Sequence, residues 1–188
     1  ARRADAMAEA AAKTPTSMAA VLGGEEADVL EAIGQLELEP ANFNGSGQIV
    51  AAGAKAAIQR LVESPPEKAR VIELKVAGAF HTSFMESAKK PVAEVAEGFS
   101  AMDPAIKLWS NVDGAQVQDG TAFLSSLVSQ IASPVRWDKC MASLSGLSAT
   151  VVELPPAGAL AGLMKRGVLD ATAIALKTPA DVEKVPNS

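Results

Sequence analysis

The chain has 188 residues, the size of one large domain or of a main domain that carries a small one. Hydrophobic residues make up 48% of the chain and charged residues 21%, so it can bury enough apolar surface to exclude wholesale disorder. A formal net charge of −5 and the lack of an apolar run of about 18 residues argue against nucleic-acid and membrane partners, and we expect a cytoplasmic protein.

The first part of the sequence predicts one helix and then a small module of alternating strands and helices. Residues 3–12 are rich in Ala, Met and Glu, which favours a helix that ends before Pro15. Apolar periodicity then predicts strands at residues 18–22, 38–43, 48–52 and 70–76 and helices at residues 25–36 and 54–62. The turn at residues 44–47 is typical of a hairpin. The resulting order, βαββαβ over residues 17–76, is that of a ferredoxin-like module.

After Gly78 the pattern is that of an α/β protein. Helices are predicted at residues 85–99, 121–131, 135–144 and 159–166, and strands at residues 107–111, 150–154 and 173–176. Ser133 and Pro134 favour a helix start, with Ser133 as the N-cap and Pro134 in the first helical position. Pro91 predicts that the helix at 85–99 either kinks or begins there.

Few residues of this chain can carry chemistry of the usual kinds. One cysteine, Cys140, and one histidine, His81, are too few for a disulfide framework or a Cys/His zinc cluster, and we expect no metal site. His81 follows a predicted strand and precedes a predicted helix, where α/β proteins place catalytic groups. An isolated loop histidine more often packs or caps than reacts, so the residue type alone leaves both interpretations open.

Several motifs occur together in a fixed order and spacing. They are G-A-F-H-T at 78–82, S-N-V-D-G at 110–114, Q-I-A-S-P-V-R-W at 130–137, V-E-L-P-P-A-G-A-L-A-G-L-M-K-R at 152–166, and further matches at 3–7 and 42–53. In this arrangement the chain strongly resembles the malonyl-CoA:acyl carrier protein transacylases. The resemblance implies an α/β-hydrolase-like acyltransferase core with an inserted ferredoxin-like βαββαβ subdomain. Residues 1–16 and 77–188 would then belong to the large subdomain and residues 17–76 to the small one.

The nucleophile of this family is missing from the sequence. The family uses the serine of a G-x-S-x-G elbow, and no such motif occurs in the chain. The family pattern places the elbow, and the glutamine loop near the oxyanion hole, before Ala1. We therefore expect a C-terminal portion that is inactive alone, its missing part lying on the same gene product or on another chain, and an apolar surface where that part would pack.

The resemblance implies a role for two residues in acyl transfer. His81 would be the general base for the serine and for the phosphopantetheine thiol of the acyl carrier protein, in a reaction that starts from malonyl-CoA, passes through a seryl ester and needs no cofactor. The backbone carbonyl of Gln130 would orient the His81 ring. Gln130 could also be an ordinary helix-terminal glutamine with an exposed side chain. Both interpretations are compatible, because the role in catalysis belongs to the carbonyl and not to the side chain.

The resemblance also implies four substrate-binding residues. Arg3 would clamp the free carboxylate of malonate, although an arginine near a chain start is more often a solvated surface residue. Phe80 would fill the space that an α-methyl group requires, or would simply be a core residue. Asn42 and Asn44 would line the entrance to the active site, while Asn44 could equally serve only as a turn residue.

Three other functions remain open at this point. The first is the acyltransferase domain of a modular polyketide synthase, which performs the same chemistry in a longer chain. The second is a serine hydrolase of related fold, against which Arg3 argues because a hydrolase has no need of a cation facing the acyl group. The third is a non-catalytic, ferredoxin-like binding fragment, which leaves the motifs at 78–166 unexplained.

Overall fold

The structure, a computed structural model, describes residues 1–186. Residues 187 and 188, the end of the predicted segment 77–188, lie outside the described residues. Within that range the α-helices are α1 (Arg2–Ala11), α2 (Glu26–Gln35), α3 (Lys55–Glu63), α4 (Glu86–Ala96), α5 (Gly120–Ser129), α6 (Trp137–Leu144) and α7 (Ala159–Gly167). The strands are β1 (Thr16–Gly23), β2 (Glu39–Gly45), β3 (Gln48–Ala54), β4 (Ala69–Glu73), β5 (Val135–Arg136), β6 (Thr150–Glu153) and β7 (Thr172–Ala175). None of the helices in residues 1–186 is both long enough and apolar enough to span a membrane.

The first four strands form one antiparallel sheet with two helices between them. The strand order is β4-β1-β3-β2, and β5 adds to the β2 edge in parallel. The predicted order of strands and helices in this part of the chain is therefore confirmed, with ends shifted by a few residues. Local patterns sufficed here because strands of period two and helices of period 3.6 alternate with clear turn residues.

Both faces of this sheet are covered. Val29 and Ile33 of α2 pack with Ile58 and Leu61 of α3 against Val21 of β1, which buries one face. A run of buried residues along β1 shows that the opposite face is also covered.

The second face of the sheet packs on the segment that leads to His81. Met18 of β1 and Val50 of β3 lie in one buried cluster with Ala79, two residues before the histidine. Met7 of α1 packs with Met85 and Ile131 in the adjoining cluster. The sheet and α1 together therefore fix the backbone on both sides of residue 81.

The strand predicted at residues 107–111 is wrong. The segment makes only an isolated bridge between Trp109 and Gln116, with further backbone hydrogen bonds from Val117 to Leu108 and from Ser110 to Ala115. The Asn111 carbonyl also accepts a hydrogen bond from the Arg136 N–H of β5, but no ladder of paired residues forms there. A strand needs such a ladder with a neighbouring strand for its backbone groups.

The helix start predicted at Ser133 and Pro134 is also wrong. Val135–Arg136 pairs in parallel with Asn42 and Phe43 of β2, so these two residues form β5 and the helix α6 begins only at Trp137. The Ser133 hydroxyl donates to the Ser129 carbonyl instead of capping a helix. Tertiary pairing with the sheet has overridden a local start signal.

The predicted effect of Pro91 is settled in one respect. The helix α4 begins at Glu86, directly after a 3₁₀ turn at Ser83–Met85, and contains Pro91 within it. The alternative that the helix begins at Pro91 is therefore wrong.

A second, two-stranded parallel sheet pairs β6 with β7, and α7 connects the two strands. Glu153, at the end of β6, is 9% exposed and points back to the start of α7. Its carboxylate accepts hydrogen bonds from the backbone N–H groups of Gly158, Leu160 and Ala161 at 2.8 to 2.9 Å. These donors would otherwise be the unsatisfied groups of a helix N-terminus.

Replacement of Glu153 by glutamine is expected to lower the free energy of unfolding by about 1 to 3 kcal/mol. The amide keeps one acceptor oxygen and turns a donor toward backbone donors. Urea unfolding measures the change, and Glu94→Gln, at an exposed position of α4, is the matched control. Equal stability of the two variants would contradict the capping role of Glu153.

Candidate active site

One cavity brings together residues from widely separated parts of the chain. Its volume is about 480 Å³. The walls are formed by Arg3, His81, Val92, Val95, Ala96, Phe99, Asn111, Leu124, Leu127, Val128 and Gln130. Three of the six predicted site residues, Arg3, His81 and Gln130, thus line one cavity although they lie far apart in the sequence.

Most of the other residues that line the cavity are apolar, and several of them are exposed. Val95, Leu127 and Phe99 are 43%, 47% and 66% exposed, and all three line the cavity. Exposed apolar side chains gathered on one cavity are typical of a surface that meets another molecule or segment. This finding agrees with the expectation of an uncovered apolar surface.

The backbone at His81 is in a conformation that few residues adopt. Its φ is +61°, in the left-handed region that costs a residue with a side chain about 1 to 3 kcal/mol. Neighbouring hydrogen bonds hold it there. The buried Thr82 hydroxyl donates to the Ala79 carbonyl at 2.6 Å, and the Ala79 N–H donates to the Thr16 hydroxyl at 3.0 Å. Non-glycine residues in this region cluster at functional sites, which adds a second observation to the loop position of His81.

A contact from β2 of the five-stranded sheet reaches the same loop. Glu39, at the start of β2, accepts a hydrogen bond from the backbone N–H of Ser83 at 3.0 Å and another from the Ser83 hydroxyl. Nothing in the local sequence around either residue predicted this contact, because the two are 44 positions apart. It ties the loop of His81 to the edge of the sheet.

The His81 ring is oriented by a backbone carbonyl. Its Nδ1 lies 3.0 Å from the Gln130 oxygen, which is the contact expected from the resemblance. A carbonyl oxygen can only accept, so the neutral ring carries its proton on Nδ1 and leaves the Nε2 lone pair free. The free Nε2 lone pair is what a general base requires.

Burial lowers the pKa of His81 below its ordinary value. The hydrogen bond to the Gln130 carbonyl opposes this shift, while the positive charge of Arg3 adds to it and the Ser133 backbone opposes it. The imidazole is therefore neutral at pH 7, which keeps it competent to accept a proton.

This lowered pKa predicts a specific pH dependence. In the unfolded chain the histidine titrates near 6.5, so as pH falls through that value the unfolded state takes up a proton before the folded state does. The contribution of His81 to stability is therefore complete above about pH 6.5 and is lost as pH falls toward the lower, folded pKa.

The chain contains a single histidine, so ring NMR signals report on His81 alone. We expect a titration midpoint below 6.5 in the folded chain. We also expect the unfolding free energy of the wild type to fall more between pH 7.5 and 5.5 than that of His81→Gln. A midpoint at or above 6.5 would contradict the burial of the ring.

Gln130 differs from the prediction in one respect. Its carbonyl holds His81, but its side chain is only 6% exposed, so the interpretation of an exposed helix-terminal glutamine is wrong. The side-chain nitrogen donates to the carbonyls of Ser133 and Pro134, both at 3.0 Å. The Gln130 Oε1 and the Trp137 Nε1 are buried and have no hydrogen-bond partner among residues 1–186.

Arg3 lies in the first turn of α1 and is exposed. Within residues 1–186 it forms no ion pair, so its guanidinium is available to an anionic ligand in the cavity. The neighbouring Arg2 is not among the residues that line the cavity. The geometry thus distinguishes two adjacent arginines that have the same chemistry.

The other three predicted site residues are not among those that line this cavity. Phe80 is half-buried and packs against both core clusters beneath the His81 loop. Asn42 pairs with Val50, whose side chain faces the Ala79 segment, so Asn42 lies on that face of the sheet. Asn44 belongs to β2 and not to the hairpin turn.

One polar residue that lines the cavity, Asn111, was not singled out from the sequence. Asn111 belongs to the quoted S-N-V-D-G motif and lines the cavity, and its carbonyl accepts a 2.7 Å hydrogen bond from the Arg136 N–H. Its position in a recurring motif was the available signal. Among residues 1–186, no group of three or more His, Cys, Asp or Glu side chains could hold a metal ion.

Comparisons with known proteins agree on one family. The family model described as "Acyl transferase domain" matches residues 1–183. A malonyl CoA-acyl carrier protein transacylase from Mycobacterium bovis is 50% identical over 182 residues, which cover 96% of this chain and 60% of that protein. The chain thus spans about 60% of the length of the curated relative.

Solved structures give the same result. The crystal structure of MCAT from Mycobacterium tuberculosis matches with a TM-score of 0.92 and 48% identity, covering 99% of this chain and 62% of that one. A malonyl-transacylase in complex with a type II polyketide synthase acyl carrier protein matches with a TM-score of 0.87 and 28% identity, covering 97% and 61%. An α/β fold of the acyltransferase type is common to all of them.

Proposed function

Because this chain belongs to the acyl transferase domain family, we propose that it is part of an S-malonyltransferase that moves malonyl from CoA to the thiol of an acyl carrier protein. The single observation that carries this proposal is that one cavity is lined by Arg3, which has no ion pair among residues 1–186, and by His81, whose neutral ring is oriented by the Gln130 carbonyl. A cation for the malonyl carboxylate and a base for a nucleophile are the two groups that this reaction needs beside the serine.

The proposed reaction has two halves with the same base. In the first, His81 Nε2 takes the proton of the elbow serine as the serine oxygen attacks the thioester carbonyl of malonyl-CoA. The C–S bond breaks and the CoA sulfur receives that proton. In the second half, His81 takes the proton of the phosphopantetheine thiol, whose sulfur attacks the seryl ester, and returns it to the serine oxygen. The serine would come from a part of the protein outside residues 1–188.

Arg3 supplies selectivity in this scheme. A guanidinium binds a carboxylate through two parallel N–H···O bonds, so it favours malonyl over an acyl group that ends in a methyl. A serine hydrolase of related fold has no use for such a cation, so Arg3 at the cavity favours transfer of an anionic acyl group. In this proposal the base, the clamp, the serine and the oxyanion hole that the resemblance implies carry out the chemistry, and no cofactor or metal has a place in it.

The finer architecture is part of the same proposal. We assign residues 17–76 to a ferredoxin-like small subdomain, for which the sheet order β4-β1-β3-β2 is the support. Residues 1–16 and 77–188 belong to an α/β-hydrolase-like large subdomain, of which this chain supplies a part. The partner is an acyl carrier protein with a phosphopantetheine arm, in the cytoplasm, and the relative solved with such a protein supports this choice.

The test is a transfer assay with the chain joined to the segment that carries the elbow serine. The expected result is malonyl moved from CoA to a phosphopantetheinylated carrier protein, followed by mass spectrometry, at a rate well above hydrolysis of malonyl-CoA. The matched control is the carrier protein without its phosphopantetheine arm, which should accept nothing. Hydrolysis without transfer would overturn the proposal in favour of a hydrolase.

Phe80 gives a separate prediction on the acyl group. If its ring fills the space beside the α-carbon, Phe80→Ser should raise the ratio of kcat/KM for methylmalonyl-CoA to that for malonyl-CoA about 10- to 200-fold, which corresponds to about 1 to 3 kcal/mol. The ring also packs in the core, so both rates are expected to fall somewhat through lost stability. Phe80→Leu keeps an apolar side chain, and thermal unfolding of both variants measures how much stability each one loses. A change in the substrate ratio is then distinguished from a loss of both rates through lower stability. An unchanged ratio would make Phe80 a packing residue only.

A further inference from the structure

The side chain of Gln130 has no role assigned so far, although its carbonyl does. We propose that the Gln130 side-chain amide is a positioning group, which holds the turn at residues 130–134 so that the Gln130 carbonyl faces His81 Nδ1. This inference deepens the proposed function and rests on it only where an effect on acyl transfer is concerned. The orientation of the His81 ring by the Gln130 carbonyl can be measured in the chain itself without acyl transfer.

The first argument is the pattern of hydrogen bonds around the turn. Gln130 lies at the C-cap of α5, where the last carbonyls of a helix lose their partners in the helix. Its own carbonyl accepts from His81 Nδ1 at 3.0 Å and, more weakly, from the Ser133 N–H at 3.4 Å. Its side-chain Nε2 bridges the Ser133 and Pro134 carbonyls at the other end of the turn. One residue thus closes the turn with its side chain and presents the carbonyl with its backbone.

The second argument is that the turn joins two fixed elements. On one side Ile131 is fully buried in the cluster with Met7 and Met85, and on the other side β5 is paired to β2. Pro134 has no N–H of its own to stabilise the connection. The link between α5 and β5 is spanned by the bond from the Ser133 hydroxyl to the Ser129 carbonyl and by the two bonds of the Gln130 amide, one of which reaches Pro134, the residue before β5.

The third argument is that this amide is buried at a cost. Gln130 Oε1 has no partner among residues 1–186, and a buried acceptor without a partner is unfavourable. An apolar side chain of the same length would avoid that penalty and fill the same space. A buried polar atom without a partner is expected mainly at functional sites, where another group of the same residue is needed. In Gln130 the needed group is the Nε2 donor.

The experiment uses ¹⁵N NMR of the single histidine in the 188-residue chain. In the wild type the Nδ1–H tautomer of the neutral ring should exceed the Nε2–H tautomer by about tenfold, the factor that one net hydrogen bond supplies. In Gln130→Met, which lacks the donor at similar length, this ratio should fall by about fivefold or more. In Gln130→Glu, whose carboxylate repels the two carbonyls, it should fall at least as far. Gln118→Met, at an exposed position, is the matched control and should keep the wild-type ratio.

A ratio unchanged in both Gln130 variants, with the fold retained by thermal unfolding, would overturn the proposal. A second measurement does not depend on the variants folding. In the wild type the Gln130 side-chain amide protons should exchange with solvent at least about tenfold more slowly than those of the exposed Gln118. Equal exchange rates would also overturn the proposal. Neither measurement requires acyl transfer, so a failed transfer assay with a normal NMR result would reject the proposed function alone.

Discussion

Replacing His81 by alanine in the serine-bearing protein is expected to lower the rate of malonyl transfer by about a hundredfold or more, which is the contribution of a positioned general base. The reason is geometric. Nδ1 is held by the Gln130 carbonyl, the ring is neutral, and Nε2 is left to take the serine proton. Both halves of the proposed reaction use this atom, so the steady-state rate and the rate of seryl-ester formation should fall together.

The measurement is single-turnover formation of the seryl ester, followed by mass spectrometry, beside steady-state transfer. Because His81 has a left-handed backbone, His81→Asn is the matched variant, since asparagine tolerates that conformation but supplies no base. It should lose activity as fully as the alanine variant while keeping wild-type thermal stability more closely. Near-normal transfer in either folded variant would remove His81 from the mechanism.

Replacing Arg3 by alanine is expected to cost malonyl transfer about 2 to 5 kcal/mol, the loss that follows truncation of one partner of a charge pair that is buried on binding. The guanidinium lines the cavity and has no ion-pair partner within residues 1–186, so the malonyl carboxylate is the anion it would meet. An acetyl group has no carboxylate, so acetyl transfer should hold or rise. The preference for malonyl over acetyl should therefore be lost.

Comparison of kcat/KM for malonyl-CoA and acetyl-CoA decides this prediction. Arg2→Ala is the matched control, because it removes the same charge from the adjacent position, which does not line the cavity. It should leave the ratio of the two substrates unchanged. Equal losses for malonyl and acetyl in the Arg3 variant would show that Arg3 supports the fold and not the choice of substrate.

The Arg3 prediction and its Arg2 control depend on a difference between two adjacent arginines that the local sequence does not reveal. Arg2 and Arg3 are both exposed residues in the first turn of α1. Only the packing of α1 on the 3₁₀ turn before α4 and on the turn after α5, through Met7, Met85 and Ile131, determines which of the two reaches the cavity. The sequence match at residues 3–7 selected Arg3, and the cavity agrees with it.

The sequence by itself determined the elements whose signals are local. The order βαββαβ followed from apolar periods and turn residues, because a strand or helix that buries one face repeats with its own geometry. The position of His81 in a loop between a strand and a helix followed in the same way. The contact between His81 and the Gln130 carbonyl came from the family resemblance, since every residue has a carbonyl and no local pattern marks the one that is used.

Only the tertiary structure decided the features that depend on a partner distant in sequence. Residues 107–111 have the apolar content of a strand, but among the described residues they form only an isolated bridge and no strand ladder. Val135–Arg136 follows a helix-start signal but pairs with β2. The buried amide of Gln130 likewise depends on two carbonyls brought back by a turn. Backbone hydrogen bonds and burial are satisfied between segments, so the final conformation of such residues is set by the segment that packs against them and not by their own sequence.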